Sequence, residues 1–295
     1  MNESTSFIEK HLTVCKSDQT ILDCLSEDCP QISKQKLKLA MKYGAVWVTP
    51  RSRNDQSRNN QSSKTVRIRR AKKILQPGTQ VHLYYDETIL FSEIKPAKLV
   101  SDEGEYSIWN KPCGMFSQGS KWGDHTSIAR WVELFGLAES NLSPKPCFLV
   151  HRLDRATNGL IVVAHSKQAA NQLGQLFETR KIQKRYAAVV DGEFCLDTNP
   201  VVIDFDIEGK CATSIILSAD YRSDVDQTLL VVEIKTGRKH QIRRHLLAAG
   251  FPLVGDRLYS GEQDNIKMQP DLMLKACFIE FVCPFQQTTK TYILD

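Results

Sequence analysis

Near the N-terminus the apolar positions are spaced for helices. Residues Thr20 to Cys29 read as a short helix stopped before Pro30. Ser33 can cap a second helix that runs to Tyr43, with Gly44 as its C-terminal stop. On that helix Leu37, Ala40 and Met41 share one arc, while Lys34, Lys38 and Lys42 recur every fourth residue on the neighbouring one. A strand over Ala45 to Val48 follows, then a polar loop over 50–63 rich in Arg, Ser and Asn. Alternation returns at 65–69, where Val66 and Ile68 face one way and Arg67 and Arg69 the other. It returns again after the Pro77-Gly78 turn, in Val81, Leu83 and Tyr85.

A linker is expected at 91–101, and from Tyr106 onward a second, larger domain begins. Its buried-strand candidates are Leu160 to Ala164, Tyr186 to Val190 and Leu229 to Ile234, all rich in β-branched residues. Helices intervene, one after Ser166 with Ala169, Leu173, Leu176 and Phe177 in helical spacing, and one over 239–249 that ends at Gly250. Strands and helices mix without a βαβ rhythm, so the fold class is α+β rather than doubly wound. No internal repeat is visible.

Composition narrows the function classes. At 295 residues, 41% hydrophobic and 25% charged, the chain suits one large or two modest globular domains, and wholesale disorder is excluded. No apolar run long enough for a membrane span exists, and the N-terminus is too polar for a secretory signal. Nine scattered cysteines without a CxxC pair predict free thiols in a reducing cytoplasm, not a disulfide framework or a zinc site. The charge is uneven. Residues 31–80 hold thirteen Lys or Arg against one acid, a local +12 in a chain of +5 overall, so the remainder is −7. Such a block reads as the footprint of a polyanion partner, with a solvated face or a loose loop as the alternative.

The chemistry-bearing segment is His151-Arg152-Leu153-Asp154-Arg155-Ala156-Thr157-Asn158-Gly159-Leu160, immediately before a buried strand. A carboxylate between arginines suits nucleophilic attack or anchoring of a cationic partner, although by itself it fits an ordinary structural ion pair better. Three further segments bear on that choice: the turn Lys111-Pro112-Cys113-Gly114-Met115, the strand start Lys184-Arg185-Tyr186, and Thr236-Gly237-Arg238-Lys239-His240-Gln241-Ile242-Arg243-Arg244-His245-Leu246.

Taken together, KPCGM (111–115), HRLDRATNGL (151–160), KRYAAVVDGE (184–193), TGRKHQIRRHL (236–246) and PLVGDRLYS (252–260) resemble the RluA-type family of RNA pseudouridine synthases. Departures are Asn158, where the family more often has Ser, and Lys275-Ala276, where His-Ala is usual. Over about 16–90, "LKLAMKYGAVWV" and "LQPGTQVHLYYDE" resemble the S4 RNA-binding module, with Val48-Thr49-Pro50 and the polar insertion replacing that family's Val-Asn-Gly turn. These resemblances imply a small S4-like α/β RNA-binding domain over 1–95, including a short N-terminal tail and the linker. They also imply a catalytic domain over 96–295 on a central mixed, mostly antiparallel sheet with flanking helices.

The implied activity is isomerisation of uridine to pseudouridine in ribosomal or transfer RNA. The N1–C1′ bond breaks, the uracil turns over, and C5 takes its place. By resemblance Asp154 is the catalytic aspartate and Tyr186 stacks on the uracil. Tyr186 is also a candidate base for the C5 proton, although a phenol of ordinary pKa ~10 is a poor one. Arg243 is expected to pair with the Asp154 carboxylate. Arg152 is expected to fill the gap left by the flipped nucleotide, since the glycosidic bond is out of reach inside a helix. Lys34, Lys38, Lys42, Arg67 and Arg69 are expected to track phosphates. His151, His240 and His245 are expected in hydrogen-bonding or basic roles around RNA. No cofactor and no metal are expected, and the protein is expected to be a cytoplasmic monomer whose partner is structured RNA, not a membrane. Two other readings compete: an S4-type RNA chaperone with an idle second domain, and a glycoside hydrolase using paired carboxylates.

Overall fold

The computed structural model describes residues 7–50, 64–196, 200–259 and 270–295. The expected loop beyond Pro50, with Arg51, Arg53 and Arg58, lies outside the described residues. Two compact units are present: 1–94 with 118–131, and 95–117 with 132–295.

In the first unit four antiparallel strands, β1 (Phe7–Thr13), β2 (Val46–Thr49), β3 (Val66–Arg67) and β4 (Gln80–Asp86), stand in the order β1-β4-β2-β3. The helices Ile21–Asp28 and Lys34–Lys42 begin at Thr20 and Ser33, whose hydroxyls accept from the backbone N–H groups of Asp23 and Lys36. Ile21, Leu25, Leu37, Ala40 and Met41 meet Val46, Val48, Val81, Leu83 and Tyr85 in one core. Gly44 ends the second helix at φ +81°, and a Cβ there would lie 2.7 Å from Arg67 Cδ and Arg69 Nη1. Two expectations change. The N-terminal tail is strand β1, and Val66 is 44% exposed although its partner in the alternation, Ile68, is buried.

Segment 118–131 belongs to this unit and alters the reading of its arginines. Asp124 Oδ2 accepts from Arg67 at 2.6 Å and from Arg69 at 2.5 Å, while Arg67 also donates to Ser120 O and Arg69 to Lys42 O. The Asp124 backbone N–H donates to Tyr43 O at 2.9 Å, and His125 stacks on Tyr43 at 4.0 Å. Arg67 and Arg69, expected as phosphate contacts, are therefore committed to an internal carboxylate. Their distance from Asp124 along the chain conceals that partner in the sequence.

The second unit holds a mixed ten-stranded sheet. Its strands are β5 (Lys98–Asp102), β6 (Tyr106–Lys111), β7 (Phe148–Leu149), β8 (Asn158–Ala164), β9 (Ile182–Asp191), β10 (Val201–Asp204), β11 (Thr213–Arg222), β12 (Gln227–Ile234), β13 (Leu274–Val282) and β14 (Thr289–Ile293). The main path runs β10-β11-β12-β9-β13-β8-β6-β5, with β7 on β8 and β14 on β13. All pairings are antiparallel except β8 with β13. The fold is thus the expected α+β one with a mostly antiparallel sheet, while β5 replaces part of the expected linker. Helix Lys167–Glu178, capped by Ser166, covers β8 through Ala169 and Leu173, which pack with Leu160, Val162, Ile279 and Phe281. Among the described residues no helix is long and apolar enough to cross a membrane.

Candidate active site

The loop that carries Asp154 is held at both ends. At its C-terminal end the loop enters β8, whose second residue is Gly159, at φ +110°, where a Cβ would come within 2.3 Å of Ala276 O on the parallel partner β13. Only glycine allows that approach. Ala276 is in turn registered opposite Tyr186 on β9, so Gly159, Ala276 and Tyr186 form one row across the sheet.

At the N-terminal end the loop is clamped by the KPCGM segment. Gly114 N–H donates to Arg155 O at 2.8 Å and Arg155 Nε returns to Gly114 O. Ser117 Oγ donates to Leu153 O at 2.6 Å and accepts from Leu153 N–H at 2.9 Å. Lys111 has no exposed surface, and its Nζ donates to the carbonyls of Pro112, Met115 and Arg155. Burial pushes the Lys111 ammonium down to about 8, with Cys113 and Asp154 opposing. Residues 153 and 155 are pinned; Asp154 between them keeps 30% of its side chain exposed.

Around Asp154 stand Tyr186, His240 and Arg243. Burial, with the Asp154 charge adding to it, pushes the Tyr186 hydroxyl above its ordinary range, so it stays a phenol at neutral pH and suits stacking rather than proton abstraction. Arg243 reaches the group from the buried side of helix Gln241–Ala248. Its expected pairing with Asp154 is replaced by another. The guanidinium forks onto Asp256, Nε to Oδ2 at 2.7 Å and Nη2 to Oδ1 at 2.5 Å. Asp256 sits in an apolar turn of the sequence, and its Oδ1 also accepts from the backbone N–H groups of Leu258 and Tyr259. Burial works against the Arg243 charge, and Asp256 outweighs it, so the group's pKa is raised.

His240, not Arg243, approaches the Asp154 carboxylate, with Nε2 3.7 Å from Oδ1 and Nδ1 2.9 Å from the Tyr259 hydroxyl. Arg152 is exposed on the same loop. His151 and His245 turn inward. His151 stacks on Phe177 at 4.2 Å and accepts from Val162 N–H, and His245 is buried against Phe205. The signal for Asp256, His240 and Tyr259 is present in the sequence, since all three lie inside the motif segments. Their roles depend on which side chains the fold brings together.

The arrangement is a preorganised loop presenting one partly exposed carboxylate beside a buried aromatic ring and a buried arginine. No group of three or more His, Cys, Asp or Glu that could hold a metal ion occurs among the described residues. Such an open carboxylate, held on a fixed loop beside an aromatic ring, has the chemistry to attack or anchor a bound group. Residues 105–248 match the family described as RNA pseudouridylate synthase. The "Dual-specificity RNA pseudouridine synthase RluA" of Haemophilus influenzae is 30% identical over 208 residues, covering 66% of this chain and 90% of the relative. The "Ribosomal large subunit pseudouridine synthase D" of Buchnera aphidicola is 32% identical over 216 residues, covering 65% and 67%. Among solved structures, "Human RNA Pseudouridylate Synthase Domain Containing 1" shares the fold at a TM-score of 0.55 and 20% identity, covering 69% of this chain and 85% of that one. The chain belongs to the RluA-type family of RNA pseudouridine synthases, and it is an isomerase acting on uridine in RNA.

Proposed function

We propose that the substrate is a uridine in structured ribosomal RNA of the large subunit or in transfer RNA, and that Asp154 is the carboxylate that starts the reaction. The observation that carries this reading is the contrast at the site: Asp154 is partly exposed on a clamped loop beside Tyr186, while Asp256 is wholly engaged by Arg243. In the reaction the C1′–N1 bond breaks, the freed uracil rotates above Tyr186, C1′ bonds C5, C5 loses its proton and N1 gains one. Atoms balance without a redox partner. Arg152, exposed beside Asp154, stacks into the space of the flipped nucleotide. Arg243 acts from Asp256 as a fixed positive charge near the reacting group.

The N-terminal unit serves as an S4-like RNA-binding module, with 1–95 and 96–295 as the two functional domains save that segment 118–131 completes the first. Its phosphate surface is narrowed to Lys34, Lys38 and Lys42, which are exposed along one helix. The compartment is the cytoplasm and the acting species a monomer. The relative named for the large ribosomal subunit supports the ribosomal reading. Pseudouridine mapping on total RNA from cells with and without this protein tests it. One or a few uridines of large-subunit or transfer RNA are expected to lose the modification, and an unchanged map in both RNA classes would reject the substrate assignment.

A further inference from the structure

His240 precedes helix Gln241–Ala248 with φ +54°, a left-handed backbone that is uncommon for a residue with a Cβ. The conformation turns the ring so that its two nitrogens face different partners, the Tyr259 hydroxyl at 2.9 Å and Asp154 Oδ1 at 3.7 Å. Tyr259 is itself fixed. Its backbone N–H donates to Asp256, and the Arg243 guanidinium lies 4.9 Å from its ring centroid. The Asp256–Arg243 pair therefore reaches Asp154 indirectly, through Tyr259 and His240, rather than by the direct arginine contact that the motifs suggest.

We propose that His240 is the positioning residue for the reacting carboxylate. The Tyr259 hydroxyl donates to Nδ1, which leaves the imidazole proton on Nε2, and Nε2–H is donated to Asp154 Oδ1 when RNA closes the remaining gap. Catalytic hydrogen bonds are often long in a free enzyme and shorten in the complex. A neutral donor orients the carboxylate without the ion pair that Arg243 would form in its place. The charged and titratable groups facing His240 are Asp154, Arg243, Lys239, Asp256 and Tyr259. Burial acts most strongly and keeps the imidazole below its ordinary pKa, with Asp154 opposing.

This inference rests on Asp154 as the reacting group, and its test separates the two. The full-length protein is assayed by tritium release under single turnover, using total RNA labelled with C5-tritiated uridine from cells lacking the protein. Binding of the same RNA and thermal unfolding are measured in parallel. His240→Ala is expected to lower the rate about 100-fold, the effect of losing one preorganised donor, with RNA affinity within about twofold. His240→Gln places an amide N–H near the Nε2 position and is expected to recover most of the rate. Tyr259→Phe, which frees the tautomer, is expected to lose roughly 3- to 10-fold, the equivalent of one ordinary hydrogen bond. A wild-type rate in His240→Ala or in Tyr259→Phe overturns the proposal. So does a folded His240→Gln as slow as the alanine variant, or a loss that lies wholly in RNA binding. If Asp154→Asn is inactive while His240→Ala matches wild type, this inference alone falls; if Asp154→Asn is active, the underlying reading falls first.

Discussion

Asp256 and Asp154 are neighbouring carboxylates with opposite surroundings. Asp256 is 2% exposed, takes both prongs of the Arg243 fork, and accepts from two backbone N–H groups. Asp154 is partly exposed, its flanking residues are bonded on both sides, and among the described ion pairs its carboxylate meets only the His240 ring, at 3.7 Å. A carboxylate whose lone pairs are all satisfied is an anchor. One whose backbone is fixed while its lone pairs stay open can attack or bind a substrate. The fold therefore gives two acids of the same residue type opposite surroundings, one satisfied and one open, and the proposed function assigns the chemistry to the open one.

The largest effect short of removing Asp154 is expected from breaking the anchor. Asp256→Ala leaves a buried guanidinium without its counter-charge and should lower stability by about 3–5 kcal/mol, read from urea unfolding. Arg243→Lys keeps the charge but not the planar fork. It should fold and yet slow by about tenfold or more in single turnover, since a compact ammonium cannot hold both Asp256 oxygens. If Asp256→Ala matched wild type in both stability and rate, the two carboxylates would not differ as described.

A second effect, visible only at acid pH, concerns His151, which its motif suggests for a role near RNA and the fold instead half-buries with its ring stacked on Phe177. Burial, then the Lys184 charge, pushes it from an ordinary 6.5 down to about 3. The folded pKa lies below the unfolded one, so the unfolded chain takes up the proton first and stability falls as pH drops from 6.5 toward 3. His151→Gln keeps an acceptor for Val162 N–H without a titrating group. Its acid destabilisation, followed by urea midpoints across that range, should be shallower than wild type. Parallel curves would mean that His151 is not held neutral by the fold.

These contrasts show where the sequence is readable. Local chemistry is legible: Ser33 and Ser166 cap their helices, Gly44 stops one, and Val81, Leu83 and Tyr85 alternate into the core as their spacing predicts. Strands β1 and β5 are not, because both lie largely exposed and carry no apolar alternation, so they read as tail and linker. The position of Asp154 before a buried strand is visible, but the partner of Arg243 is not. Which carboxylate an arginine meets depends on how β12, its following helix and the turn at Asp256 fold together. The same holds for Arg67 and Arg69, whose partner Asp124 lies 57 and 55 residues away.

The smallest effect tests the surface left to RNA in the N-terminal unit. Replacing Lys34, Lys38 and Lys42 together by Gln should flatten the salt dependence of RNA binding by roughly 0.7–0.9 in slope for each phosphate no longer neutralised. Replacing Arg67 and Arg69 should instead act on stability through Asp124. Equal changes of slope in both sets would return the two arginines to the RNA surface.

Asp154→Asn decides whether the open carboxylate proposed here is the reacting one. The change preserves size and removes only the charge, so the variant should unfold at the wild-type temperature and bind RNA with wild-type affinity. With stoichiometric enzyme and C5-tritiated RNA it should release no tritium and form no pseudouridine; measurable product from the folded variant would contradict the account.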